Sequence, residues 1–329
     1  MGDCAVPAAQ RGPVGFVVVL IHWDDIEPLR IDRGDLRGLR RRLAAAAGAP
    51  RLGLSRYEIA AGERVMPQHL HSDEEEIFVV LSGGGLSVEG DEAFPITAGD
   101  VILYPAGARA HTIVAGDAGI DVLAFADGGD GGLTWLPRPN VMWASPRWLP
   151  LDGPNPFQAE ADAGPLEAPA PSPERPPTIR AIAEIEQEQR IHRDISQRTR
   201  DLGVALGSVR SGLSEIVIDA GALSNPPHSH SAEDELFVVT AGDGVLELMD
   251  RDGEDAGRHA LRAGHVISLP AGSRVSHAFR AGADGMTLLG YSRHDAADCC
   301  FYPRSQKVSI RGLGVIARVE RVDYWDGEM

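Results

Sequence analysis

Residues 62–83 read GERVMPQHLHSDEEEIFVVLSG, and residues 221–242 read GALSNPPHSHSAEDELFVVTAG. Both stretches share one skeleton at identical spacing: Gly62, His69, His71, Glu76 and Gly83 in the first, and Gly221, His228, His230, Glu235 and Gly242 in the second. In an extended strand, residues i and i+2 point to the same face. His69 and His71 therefore aim two imidazoles at one point, and His228 and His230 do the same. Glu76 falls on the face of Phe78 and Val80 in the apolar run that follows, so its carboxylate can reach inward beside them.

A second pattern follows each stretch. Gly99, Pro105-Ala106-Gly107 and His111 are echoed by Gly264, Pro270-Ala271-Gly272 and His277. The Pro-Ala-Gly turn predicts a strand that delivers His111, or His277, from across a barrel. Three neutral nitrogens and one carboxylate suit a borderline divalent transition metal. Fe or Mn comes first, with Ni, Cu and Zn next. Ca and Mg prefer oxygen ligands and fit poorly. Four protein ligands on an octahedral ion leave two positions for water, O2 or a bidentate substrate.

The repetition extends well beyond these motifs. Leu43 aligns with Leu202, Gly53-Leu54-Ser55 with Gly212-Leu213-Ser214, Leu123 with Leu289, and Pro137-Arg138 with Pro303-Arg304. The second copy carries a longer hairpin around Asp250–Arg258. So long a period means duplicated domains rather than a solenoid. Nine prolines lie between Pro150 and Pro177 among Ala, Glu and Gly, a composition that reads as an extended linker. The division is 1–150, a linker over 151–178, and 179–329. Glycine turns recur between short apolar or alternating runs such as Ile77–Leu81, Val101–Tyr104 and Val122–Phe125, which predicts an all-β sandwich or barrel. Asp35–Ala47 is the best helix candidate, from Leu36, Leu39, Leu43 and an alanine run. Ile179–Leu202 fits a helix only in part.

The chain has 329 residues, 43% hydrophobic and 24% charged, with a formal net charge of −17. That length and composition suffice for two domains with their own cores. The negative charge argues against nucleic acid or an anionic membrane surface as partner. Cys4, Cys299 and Cys300 are the only cysteines and form no even framework, so a reduced, cytoplasmic setting is expected. The run Phe16–Ile21 lacks the cationic flank and cleavage site of a signal peptide and reads as a strand. No run has the length of a transmembrane helix.

Arg109 and Arg274 occupy matching positions before His111 and His277, and either could clamp a carboxylate or phosphate near the metal. The bland reading is a solvated turn arginine. Asp73-Glu74-Glu75 and Glu233-Asp234 read as solvated turn residues at the site mouth, with a general acid or base as the alternative. Tyr57, Tyr104, Phe78 and Phe237 are expected as barrel lining or core. His22, His192, His259, His265 and His294 have no partner at ligand spacing and are read as structural or surface. Cys299 and Cys300 read as small buried thiols.

The two motifs together resemble the signature motifs of the cupin superfamily, and two copies in one chain look like a bicupin. The resemblance spans nearly everything outside the linker and the extreme N-terminus. The second motif departs in its longer step from glycine to histidine. The resemblance implies an all-β chain: two double-stranded β-helix (jelly-roll) barrels in tandem, with few short helices and one metal per domain. It implies His69, His71, Glu76 and His111 as the first ligand set, and His228, His230, Glu235 and His277 as the second. A homodimer and a small-molecule, anionic substrate are expected. Three functions stay open. They are an O2-using oxidoreductase of dioxygenase type, a metal-dependent decarboxylase or isomerase on a small carboxylate or sugar, and a non-catalytic ligand-binding bicupin.

Overall fold

Strand alternation in the stretch Ile77–Val80 shows how the molecule is layered. Phe78 and Val80 point into one barrel, at 1% and 2% exposure, and pack with Tyr57, Ile102, Tyr104, Ile113 and Val122. Ile77 and Val79 point the other way into a core shared by both halves, with Leu54, Leu123 and Phe125 facing Leu213, Leu236, Val238, Leu289 and Tyr291. A strand buried on both faces reads as a continuous apolar run rather than an alternating one. A third core fills the second barrel around Phe237, Val239, Ile267, Phe279 and Leu288.

The computed structural model describes residues 18–49, 51–128, 132–144, 147–149 and 156–328. Cys4, Phe16 and Val17 lie outside them. Two eight-stranded antiparallel sheets form the bodies of the two halves. The first runs Asp100–Tyr104, Glu76–Glu89, His111–Ala126, Gly53–Ile59, Leu36–Arg42 and Leu29–Arg33, with Glu92–Thr97 paired to Glu76–Glu89. The second repeats it as His265–Leu269, Glu235–Met249, Ser276–Arg293, Ser211–Ile218, Ile195–Asp201 and Glu188–His192, with Asp255–Arg262 alongside. The eighth strand of each is exchanged. Val19–His22, from the N-terminal half, pairs with His265–Leu269, and Ile179–Ala181, from the C-terminal half, pairs with Asp100–Tyr104.

The long central strands bend across each barrel through paired register shifts, between Val80 and Ser82 and between Gly83 and Gly85 in the first. Gly83 holds φ +75°, and a Cβ there would lie 2.1 Å from the Gly119 carbonyl oxygen; Gly242 stands in the same relation to Gly285. Two backbones meet at these corners with no room for a side chain.

The helix expected over Asp35–Ala47 is a strand over most of its length. Leu36–Arg42 pairs on both sides, and only Leu43–Ala46 is helical. Gly38 is a poor helix former and meets the Glu58 carbonyl closely, while Arg41 pairs across strands with Glu58. The ambiguous Ile179–Leu202 also resolves into strands and a single 3-10 turn at Ile182–Glu184, with α-helix beginning only at Leu202–Leu206. The proline-rich segment is more ordered than an extended linker. Pro156–Asp162 forms a helix, and the buried Glu160 carboxylate lies 2.8 Å from Arg64 Nη1 and 2.9 Å from Arg138 Nη1. Arg64, itself 1% exposed, also donates to Asp35 at 2.8 Å and 3.0 Å. Removing any one of these charges leaves another buried without its partner, which is why such clusters hold together. Among the described residues, no helix is long and apolar enough to cross a membrane.

Candidate metal centres

Four short backbone bonds place the ligands. His69 N–H donates to the His111 carbonyl at 3.0 Å and His111 N–H to the His69 carbonyl at 2.7 Å; His228 and His277 make the same pair at 3.2 and 2.8 Å. His71 lies on the two-residue strand Leu70–His71, and Glu76 and His111 open the two longest strands of the first sheet. Sheet pairing therefore fixes the ligands, and no flexible loop carries them.

In the first barrel the Nε2 atoms of His69, His71 and His111 lie 3.4, 3.4 and 2.9 Å from Glu76 Oε2. In the second, His230 and His277 Nε2 lie 3.6 and 3.4 Å from the Glu235 carboxylate. The ring spacings agree as well: His69 to His111 and His228 to His277 are both 4.6 Å between centroids. All eight expected ligands thus come together as two quartets.

The rear nitrogens say what belongs between these groups. His69 Nδ1 lies 2.8 Å from the Pro67 carbonyl and His228 Nδ1 3.1 Å from that of Pro226. A carbonyl only accepts, so Nδ1 carries the proton in both rings and Nε2 presents a lone pair. Lone pairs facing a carboxylate repel unless a cation stands between them. The donor set, the tautomers and the spacing all fit a divalent transition metal bound through three Nε2 atoms and one carboxylate.

Without metal, protons partly take that role. Burial disfavours the charged form of His71, but the Glu76 carboxylate outweighs it and lifts the imidazole to about 9. Burial would likewise raise Glu76, but His71, His111 and His69 hold it well below the carboxylate range. His111 is pushed down to about 4 by burial, against its bond to Glu76. In the second barrel burial lowers His228 to about 4 and lifts Glu235 to about 7, against the pull of His230.

The surroundings differ between the barrels. Tyr104 stacks on His111 at 3.8 Å and bonds Ser87 at 2.8 Å. His71 Nδ1 lies 3.0 Å from the Thr134 hydroxyl and 3.3 Å from Glu74. Its counterpart His230 instead donates through Nδ1 to Asp298 at 2.7 Å, a carboxylate 1% exposed that also accepts from the N–H groups of Ser231 and Ala232. Cys300 occupies the strand position opposite His230, as Thr134 does opposite His71, and its thiol lies among donor atoms of His228 and His230. Burial pushes that thiol up to about 12; Cys299 is only half-buried.

Arg109 and Arg274 do not join the quartets. Arg109 is exposed and paired with Glu92, and Arg274 is an exposed turn residue at φ +60°. Both turns face solvent while the backbone beyond them turns inward to deliver the histidine. Two other arginines, Arg190 and Arg311, line a cavity of about 350 Å³ in the second barrel, whose wall includes His228, Glu235 and His277. Neither stands at motif spacing, so the sequence offers no signal for them. His294 lines the same cavity. The acidic runs are also not simple solvated turns: Glu75 and Glu233 are 3% and 2% exposed. Their burial follows from partners on other elements, Ser208–Ser211 for Glu75 and Arg311 and Asp295 for Glu233.

The sequence profile of the family described as Cupin domain matches residues 55–125 and again 214–289, and so takes in both ligand sets. Among curated proteins none matches the sequence. Solved structures match in fold. A two-residue deletion variant of oxalate decarboxylase from Bacillus subtilis aligns with TM-score 0.58 and 17% identity, over 85% of this chain and 78% of that one. A serine-to-alanine variant of the same enzyme aligns with TM-score 0.58 and 18% identity over the same shares. Another match, also at TM-score 0.58 and 17% identity, concerns the Mn(II) centres of that enzyme. Identities this low establish shared architecture and leave the reaction open. With the profile matched once in each half and a bicupin fold beneath both matches, the chain belongs to the cupin superfamily as a bicupin.

Proposed function

We propose that this bicupin is a metal-dependent enzyme whose substrate is a small carboxylate bound in the second barrel. The observation that carries the reading is the cavity beside His228, Glu235 and His277, which pairs two guanidinium groups with polar walls from Gln197, Thr199, Asn225 and Ser292. At about 350 Å³ it lies at the small end of ligand pockets. Phe237, Phe279, Tyr291 and the acidic Asp201 share the lining, so it is the two guanidinium groups, as partners for an anion, that put decarboxylation or isomerisation of a small acid ahead of ring cleavage. The likeness in fold to oxalate decarboxylase is consistent with this choice.

Arg311 is held 2.7 Å from Glu233, and Arg190 pairs with Glu188 at 2.8 Å. The buried Glu233 orients Arg311 before substrate arrives, which lowers the entropy cost of gripping an anion, whereas Arg190 and Glu188 are both exposed and that pair fixes little. Glu233, raised by burial, stands next to Arg311, where its carboxyl can supply the proton that the carbanion takes up once CO2 has left. A divalent ion in the quartet supplies Lewis-acid polarisation and, when redox-active, electron transfer. An O2-using oxidoreductase is the second reading, favoured by a four-ligand set that leaves two positions of an octahedral ion open. Cys299 and Cys300 are unbridged, which supports a reducing, cytoplasmic setting.

The test is to load the chain with Mn²⁺ or Fe²⁺ and offer a panel of mono- and dicarboxylates with and without O2. Acid consumed without matching O2 uptake is the expected result, and stoichiometric O2 uptake would move the second reading ahead. Failure of the metal-loaded chain to bind or turn over any small acid would sink the carboxylate reading, and failure to take up O2 with small enolic or phenolic substrates as well would sink the second.

A further inference from the structure

Next to each metal-ligating glutamate stands an acidic residue whose partners belong to the opposite barrel. Glu75 precedes Glu76. Its carboxylate accepts from the Ser208 hydroxyl at 2.6 Å and from the N–H groups of Arg210 and Ser211 at 3.3 and 3.2 Å, all in the C-terminal half. Arg210 also grips Asp73 at 2.5 Å and Asp127 at 2.6 Å, and Asp127 in turn accepts the Glu75 N–H at 3.2 Å. The loop between His71 and Glu76 is thus seated on residues 208–211 of the other half.

The reciprocal contact uses the equivalent residues. Asp234 precedes Glu235 and is held by both Nε and Nη2 of Arg51, at 2.7 Å each, from the N-terminal half. Its Oδ1 also accepts the Ala271 N–H at 2.7 Å, inside the Pro-Ala-Gly turn that leads to His277. Arg51 and Arg210 occupy matching positions in the two copies and brace in opposite directions, but by different contacts: the Arg51 guanidinium grips Asp234 itself, whereas the Arg210 guanidinium grips Asp73 and Asp127 and only its backbone N–H reaches Glu75.

We propose that each barrel positions the metal ligands of the other: Ser208 and Arg210, through Glu75, set the first site, and Arg51, through Asp234, sets the second. These are positioning residues that touch no metal ligand themselves. The Glu75 brace is buried, whereas the Arg51 side chain is 63% exposed, so the first brace is the stronger of the two. Groups that orient ligand-bearing segments typically change metal affinity ten- to a hundredfold when removed. The inference rests on the metal reading of the quartets, which Mn²⁺ uptake by the unmutated chain tests independently.

The experiment is Mn²⁺ titration of the full chain with one quartet disabled at a time. With His228→Ala/His230→Ala leaving only the first site, Ser208→Ala and Glu75→Gln should each weaken Mn²⁺ binding about tenfold, and Arg51→Ala less than twofold. With His69→Ala/His71→Ala leaving only the second site, the order should invert: Arg51→Ala weakens binding about threefold, and Ser208→Ala hardly at all. The conservative Arg51→Lys should restore part of the loss, and thermal unfolding of each variant checks that it folds. Ser208→Ala keeps the carboxylate and supplies the readout if Glu75→Gln does not fold. For Ser208→Ala and Arg51→Ala, losses that fall on the site of the mutated residue's own barrel, on both sites equally, or on neither would overturn the proposal, as would an unchanged first site in Glu75→Gln. If the parent chain takes up no Mn²⁺, the metal reading itself fails and the crossed pattern fails with it.

Discussion

Asp298 accepts from His230 Nδ1 while its other oxygen gathers the N–H groups of Ser231 and Ala232, so one buried carboxylate fixes both the ring and the turn behind it. Asp298→Asn substitutes an amide that no longer compensates a metal-bound imidazole. It should weaken Mn²⁺ binding at the second site by about tenfold or more and leave the first unchanged, as titration in the His69→Ala/His71→Ala background would show. At the first site the proton is the competitor. His71 is protonated below about 9 in the metal-free chain, and only the neutral ring binds metal. Metal therefore displaces that proton at pH 7, and affinity should climb as pH rises towards about 9 and level off above it. Calorimetry at pH 7 in buffers of different ionisation enthalpy should register the released proton, and a heat independent of buffer would refute it. The two groups of three histidines and a glutamate that the fold gathers are legible in the sequence because strand periodicity and a repeated spacing both mark them. Asp298 is not, since it lies 68 positions from His230 and reaches it only through folding. Arg190 and Arg311 escaped notice for the same reason, while Arg109 and Arg274 sat at tempting spacing on turns that face solvent.

Strands are legible in the sequence where both faces are buried or where glycines bound them, and less so where partners decide. Leu36–Arg42 carries leucines at helical spacing, yet two flanking strands claim its backbone, and Gly38 must lie against Glu58. Local preference is a weak prior against two ladders of hydrogen bonds. The proline-rich segment misled in the opposite sense, since its composition hides a helix whose one buried charge, Glu160, answers Arg64 and Arg138. The corner glycines give this scale its test. Gly83 and Gly62 have nearly the same φ, +75° and +73°, but a Cβ at Gly62 meets nothing within 4 Å whereas one at Gly83 meets the Gly119 carbonyl at 2.1 Å. Gly62→Ala should cost about 1 kcal/mol from backbone strain alone. Gly83→Ala should cost about 3 kcal/mol or more, because the central strands must also separate. Urea denaturation of the two variants compares them directly, and equal losses would show that the corner yields.

At the scale of the whole molecule, duplication was visible in the sequence but strand exchange was not. An internal repeat shows that two similar sheets exist. It cannot show which copy's first strand closes which sheet, because the alternating pattern fits either edge equally well. The structure closes each sheet with the other half's strand, and it buries Ile21, Ile182 and Ile185 in the core shared by the two. Neither half is then complete alone. A chain cut after residue 178 lacks Ile179–Ala181, the strand that pairs with Asp100–Tyr104, and exposes Ile77, Val79, Leu103 and Phe125, all buried against the second half at present. An exposed edge beside an apolar face of this size leads to association between copies. Residues 1–178 and 179–329 expressed separately should therefore be aggregated or poorly folded by size-exclusion chromatography and circular dichroism, and should recover a folded complex when co-expressed. Deleting residues 1–25 should be milder. It removes Val19–His22 from the second sheet, lowers the unfolding temperature, and loosens Mn²⁺ at the second site more than at the first, because His265–Leu269 then becomes an unpaired edge beside Glu235–Met249. Halves that fold alone as stable monomers would mean that the exchanged strands decorate the barrels and do not complete them.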